Sequence, residues 1–122
     1  MGDRAQVLIE DEGVYLYTHW TATELPNIVK TALRKRWRWD DPEYLARIIF
    51  CEMVKSDLMD ETGYGIGSNQ HQDIWRLIKI NCKENKIIQE EFINEEFKTN
   101  KEKVFEGTFE EYINDTISSR KN

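Results

Sequence analysis

Four groups of residues in this sequence could do chemistry. The first is the run Tyr17-Thr18-His19-Trp20. An imidazole between a phenol and an indole can form a pocket wall that titrates near neutral pH. The same rings can equally plug a core, with their polar tips satisfied by backbone. The second group centres on Arg47, set among Tyr44, Leu45, Ala46, Ile48, Ile49 and Phe50. A charge on so apolar a helix must be paired, reach solvent or serve a site. Glu52 lies five residues on, about 140° around a helix, so Glu43, one turn back, is the closer partner. A guanidinium so placed can also hold an anionic ligand or a partner's carboxylate.

The third group is Asp60-Glu61-Thr62-Gly63-Tyr64-Gly65-Ile66-Gly67. Its glycines allow close backbone approach, but the spacing is neither a phosphate loop nor a dinucleotide fingerprint. It reads as a tightly packed Gly-rich strand or as a ligand-binding loop built on Glu61, Thr62 and Tyr64. The fourth group is Lys30, Arg34, Lys35, Arg36 and Arg38, interleaved with Trp37 and Trp39. Such a segment can grip phosphates and stack on bases. Cations near a helix C-terminus also simply complement its dipole. Acid–base catalysis would need His19 beside Glu52 or Glu61, and nothing in the spacing demands that pairing. His19, His71, Cys51 and Cys82 lack metal-ligand spacing, and no HExxH or CxxC motif is present. No cofactor or metal is expected.

The elements that must position these groups follow from pattern. Ala5–Ile9 and Val14–Thr18 flank a four-residue turn ending in Gly13, which predicts a β-hairpin. Thr23 as N-cap, Pro26 in the first turn and an apolar stripe of Leu25, Ile28, Val29, Ala32 and Leu33 predict a helix with Lys30 and Arg34 on its opposite face. Asp41-Pro42-Glu43 opens a second helix over 43–54, apolar nearly all round and so expected to be central and buried. Residues 74–80 alternate, with Ile74, Arg76, Ile78 and Ile80 on one side. Residues 86–93 are their hairpin partner, weakened by Gln89-Glu90-Glu91. Residues 94–107 read as a polar linker or surface segment, either a frayed helix or a surface strand. Thr108 and Glu111 form a capping box for a C-terminal helix.

A chain of 122 residues is one domain's worth. With 39% hydrophobic residues it can build a core without disulfides or metals. A net charge of −6 argues against a whole-protein field for nucleic acid and leaves only a local basic patch. No apolar run reaches the length of a membrane helix, and Met1-Gly2-Asp3-Arg4 does not read as a signal peptide. Two scattered cysteines suit free thiols in a cytoplasmic protein.

The runs Val14-Tyr15-Leu16-Tyr17-Thr18-His19-Trp20, Glu24-Leu25-Pro26, Trp39-Asp40-Asp41-Pro42, Tyr44 to Phe50, Glu52-Met53 and Glu61 to Ile66 occur in this order. They resemble a family of small bacterial and phage proteins. The resemblance implies a phage or mobile-element setting and brings no activity with it. The family tends to carry glycines after the tryptophan, where this chain has Thr21-Ala22-Thr23.

These readings converge on an α+β fold. It has a mostly antiparallel sheet, built of two hairpins plus a Gly-rich central strand, with two or three helices on one face. The leading function is non-enzymatic binding of a partner protein or small anionic ligand through Tyr17, His19, Trp20, Arg47, Glu61, Thr62 and Tyr64. An accessory or counter-defence role would suit the family setting. One alternative is nucleic-acid binding through Lys30, Arg34, Lys35, Arg36, Trp37 and Arg38. The other is a hydrolase or transferase using His19 with Glu52 or Glu61. Self-association into a homo-oligomer stays open, and no membrane partner is expected.

Overall fold

The computed structural model describes residues 3–59, 63–95 and 98–116. Nine elements follow in chain order. β1 is Ala5–Ile9, β2 Val14–Thr18, α1 Leu25–Arg34, α2 Pro42–Val54 and β3 Tyr64–Gly67. β4 is Arg76–Asn81, β5 Lys86–Glu95, β6 Lys98–Gly107 and α3 Phe109–Asn114. The strands form one six-stranded sheet in the order β3-β2-β1-β4-β5-β6. Only the β1–β4 pairing is parallel, so the α+β reading with a mostly antiparallel sheet holds. Among the described residues no helix is long and apolar enough to cross a membrane.

Register explains the core. Alternate residues of a strand face one side, so three cross-strand rows point toward the helices. They are Val14–Ile9–Ile80–Ile87, Leu16–Val7–Ile78–Gln89 and Thr18–Ala5–Arg76–Glu91. The first row is wholly apolar, and the third ends in an arginine and a glutamate. Leu25, Val29 and Leu33 of α1, Leu45 and Ile49 of α2, and Phe109 and Tyr112 of α3 close over them in one core.

The third row is the one that sequence reading passed over. Arg76 is only 1% exposed. It donates to Glu91 Oε2 through Nε at 3.0 Å and through Nη2 at 2.5 Å. Its Nη1 donates to the carbonyls of Ala22 at 2.8 Å and Thr23 at 3.3 Å. Gln89 Nε2 also donates to Glu91, at 3.4 Å, and the Tyr112 hydroxyl donates to Gln89 Oε1 at 2.6 Å. This polar cluster is what makes Gln89-Glu90-Glu91 compatible with a ten-residue strand.

Several expectations are corrected. Lys30 is buried, not on the solvent face of α1. Its ammonium donates to the Asp115 carbonyl and lies 5.0 Å from the centre of the Tyr112 ring. Burial pushes its pKa below the usual lysine range. α1 starts after Glu24, without a side-chain cap, and Thr23 lies one residue before the N-cap position, its N–H donating to Asp3 and its carbonyl accepting from Arg76. α2 is capped by Asp41 as expected, but it is not buried all round. It packs by Leu45, Ile49 and Met53, while Tyr44, Arg47 and Cys51 are exposed. The Gly-rich strand, expected to be central, is the edge strand β3. A strand with glycine at alternate positions offers little to bury on one of its faces. The segment 98–107 is the other edge strand, and Thr108 and Glu111 do form the capping box.

Candidate functional site

α1 and α2 are joined by Lys35 to Asp41, and the backbone there is unusual. Arg36 has φ 57° and Arg38 φ 59°. Glycine is the usual residue in this left-handed region, and other residues pay about 1–2 kcal/mol to enter it. Local contacts hold both arginines there. Arg36 forks onto Glu110 and its guanidinium lies 5.2 Å from the Trp39 ring centre. Arg38 lies 4.5 Å from the Tyr44 ring centre and 3.9 Å from Asp41. The alternation turns neighbouring tryptophans in different directions. Trp39 faces inward, donating to the Leu33 carbonyl at 3.0 Å and packing edge-on to Phe109. Trp37 is left 60% exposed.

Trp37 forms one wall of a groove of about 310 Å³, whose floor is Ile48 and Cys51 of α2. Lys35, Arg47 and Lys55 rim it, and Glu52 lies beneath. Glu52 accepts from Lys55 at 2.5 Å and from Lys35 at 3.2 Å. The Lys55 hydrogen bond, then that of Lys35, holds its carboxyl below the usual range against the opposing effect of burial. Among the described residues no ion pair or hydrogen bond engages the Arg47 guanidinium. Glu43, its expected partner, does not pair with it. Three cations over one carboxylate leave the groove positive within a chain of net charge −6.

On the far side of Glu52 and Lys55 lies a more polar cleft of about 350 Å³, between α1 and the end of α2. Tyr64 borders it and donates to Asp57 at 2.8 Å. Glu61 and Thr62 lie outside the described residues.

Tyr17, His19 and Trp20 do come together, at the end of β2 and away from the groove. His19 Nδ1 accepts from Arg4 Nε at 3.1 Å and lies 3.1 Å from the Tyr17 hydroxyl. An acceptor at Nδ1 places the ring proton on Nε2. Tyr17 stacks on His71 at 4.3 Å, Trp20 meets His19 edge-on at 4.3 Å, and Arg4 pairs with Asp73 at 3.1 Å. Burial, then the Asp73 carboxylate, pushes the Tyr17 phenol above its usual range. His71 and Asp73 were not legible as members of this cluster, because the loop before β4 reaches it only through the β1–β4 pairing, whereas Arg4 is set opposite His19 by the β1–β2 register.

The five described residues of the seven expected to form one site are therefore distributed. Arg47 is in the groove, Tyr64 in the adjoining cleft, and Tyr17, His19 and Trp20 in the cluster at the sheet end. Both oxygens of Glu52 are held by lysines, so it is not presented to His19. The basic-aromatic segment is also divided: Lys30 is buried, Arg36 is held by Glu110, and Arg34 donates to the Ile113 carbonyl at 3.4 Å. Only Lys35 and Trp37 of that run line the groove. Among the described residues no three His, Cys, Asp or Glu side chains converge where a metal could sit. No family model, no curated protein and no solved structure matches the chain.

Proposed function

We propose that this protein is a binding protein and that the groove between Trp37 and Arg47 is where it captures an anionic group borne on an apolar or aromatic body. One observation carries the reading. Trp37 is held in water between two arginines in left-handed backbone, facing a guanidinium with no partner among the described residues. Backbone strain of this kind persists only where surrounding contacts impose it, and it gathers at binding sites. An indole supplies a large, stiff contact face. Arg47 supplies a forked donor for a carboxylate, sulfate or phosphate. The occupant is a small ligand or a side chain of a partner protein, and the chemistry of recognition is the same. The phage or mobile-element setting implied by the family resemblance would make that capture an accessory or counter-defence function.

Phenyl phosphate tests this, with phenol as the uncharged control, by following the Trp37 indole N–H and the Arg47 Nε–H in NMR spectra. Saturable shifts of both with phenyl phosphate, absent with phenol and lost in Trp37→Ala, are the expected result. Silence of both signals, or equal binding of phenol, contradicts the proposal. The nucleic-acid alternative keeps only Lys35 and Trp37 of its run on the groove. It requires a steep fall in oligonucleotide affinity with salt.

A further inference from the structure

The face of the sheet turned away from the helices carries two more cross-strand rows, Tyr17–Gln6–Leu77–Glu90 and Tyr15–Leu8–Lys79–Ile88. A cavity of about 350 Å³ opens on it, floored by Leu8 and Leu77 and walled by Tyr15 and Phe92. A second cavity of about 220 Å³ adjoins it, sharing Gln70 and Phe92. Glu90 lines the first cavity although its side chain is only 8% exposed. Lys79 at 3.2 Å and Lys101 at 3.5 Å both reach its Oε2. Among the described residues no hydrogen bond reaches Oε1. No buried side-chain oxygen there lacks a partner, so Oε1 meets solvent. The β4 register, Leu77 opposite Glu90, sets this carboxylate on the open face, and the extra residue at the register shift between Gln89 and Glu90 lies across from it in β6, a kind of irregularity common beside sites.

We infer that this cavity binds a small zwitterionic ligand with an apolar body, of the class of a free α-amino acid with an apolar or aromatic side chain. Charge complementarity carries the choice. Lys79 and Lys101 are balanced by Glu90 and Glu10 around the cavity, so a lone anion or a lone cation meets a neutral site. A ligand bearing both charged groups on one carbon matches it. Its α-ammonium donates to Glu90 Oε1, its carboxylate accepts from Lys79 or Lys101, and its side chain covers Leu8 and Leu77 between Tyr15 and Phe92. The cavity is separate from the Trp37 groove, so this inference does not rest on the function proposed there.

L-phenylalanine is the probe, compared with phenethylamine, which lacks the carboxylate, and 3-phenylpropanoate, which lacks the ammonium. The methyl resonances of Leu8 and Leu77 are followed by NMR. Saturable shifts with millimolar L-phenylalanine are expected. Each one-charge analogue should bind about tenfold more weakly, the cost of one charge-assisted hydrogen bond. Glu90→Gln should weaken L-phenylalanine by a similar factor, and Trp37→Ala should leave it unchanged. Should Glu90→Gln fail to fold, Lys101→Ala, at a side chain 58% exposed, carries the test. Absence of shifts, equal binding of either analogue, or loss of binding in Trp37→Ala overturns the inference.

Discussion

Two regions of this molecule use the same residue types to opposite ends. Beneath the helices, Arg76, Glu91, Gln89 and Tyr112 are bonded to one another, and Nη1 of Arg76 donates to two backbone carbonyls. Between α1 and α2, Arg47, Lys35, Lys55 and Glu52 lie beside a tryptophan in a groove open to water. A buried charge is tolerated only with its hydrogen bonds complete, so the first cluster has nothing left to offer a ligand. The second keeps an uncommitted guanidinium and spends backbone strain on exposing an indole. Charge and aromaticity alone therefore do not mark a binding site; leftover capacity to bond does.

If this division is right, changes in the closed cluster lower stability and changes in the open groove lower binding. The largest effect is expected from Arg76→Ala. It takes the guanidinium partner from the buried Glu91 carboxylate and should cost about 3–5 kcal/mol, read as a fall in the urea midpoint. Arg76→Met combined with Glu91→Leu should recover much of that loss, since replacing both partners by apolar groups avoids the orphaned charge. Tyr112→Phe removes the hydrogen bond to Gln89 Oε1 and should cost about 0.5–1.5 kcal/mol in the same assay.

The comparison also shows where sequence reading succeeds. The β1–β2 hairpin was legible because its signals are local: alternation, and Gly13 at φ 64° in the turn. The Asp41-Pro42 start of α2 and the Thr108–Glu111 box were legible for the same reason. Arg76 stood in plain alternation with Ile74, Ile78 and Ile80, so its burial could have been read from the pattern. Its partner could not, because the Arg76–Glu91 pairing depends on strand register. α2 misled in the other direction. Its apolar residues extend beyond the buried Leu45, Ile49 and Met53, and the half-buried Ile48 and exposed Cys51 line the groove. The sequence marks Arg47 as a charge on an apolar helix, yet Trp37, Lys55 and the left-handed arginines near it are tertiary facts.

Smaller effects sharpen the contrast. Arg38→Gly removes the left-handed cost and also the contact with Tyr44. Stability should therefore change by less than about 1 kcal/mol, while phenyl phosphate binding weakens because Trp37 is no longer pinned. The smallest effect concerns pH. The Glu52 carboxyl is held below the ordinary glutamate value of 4.5 by Lys55 and Lys35. A carboxyl with a depressed folded pKa stabilises the fold above its unfolded value, and that contribution is lost as pH falls through the folded value. The stability difference between the parent chain and Glu52→Gln should therefore be constant above pH 4.5 and shrink below it, as urea midpoints across an acid series would record.

The most direct test of the account is the phenyl phosphate affinity of Arg47→Ala, measured on protein whose urea midpoint is determined alongside. The account expects an unchanged midpoint and at least about a tenfold loss of affinity, the weight of one charge-assisted hydrogen bond. An Arg47→Ala protein that is destabilised yet binds phenyl phosphate as the parent does would contradict it, for Arg47 would then belong to the fold and not to a site.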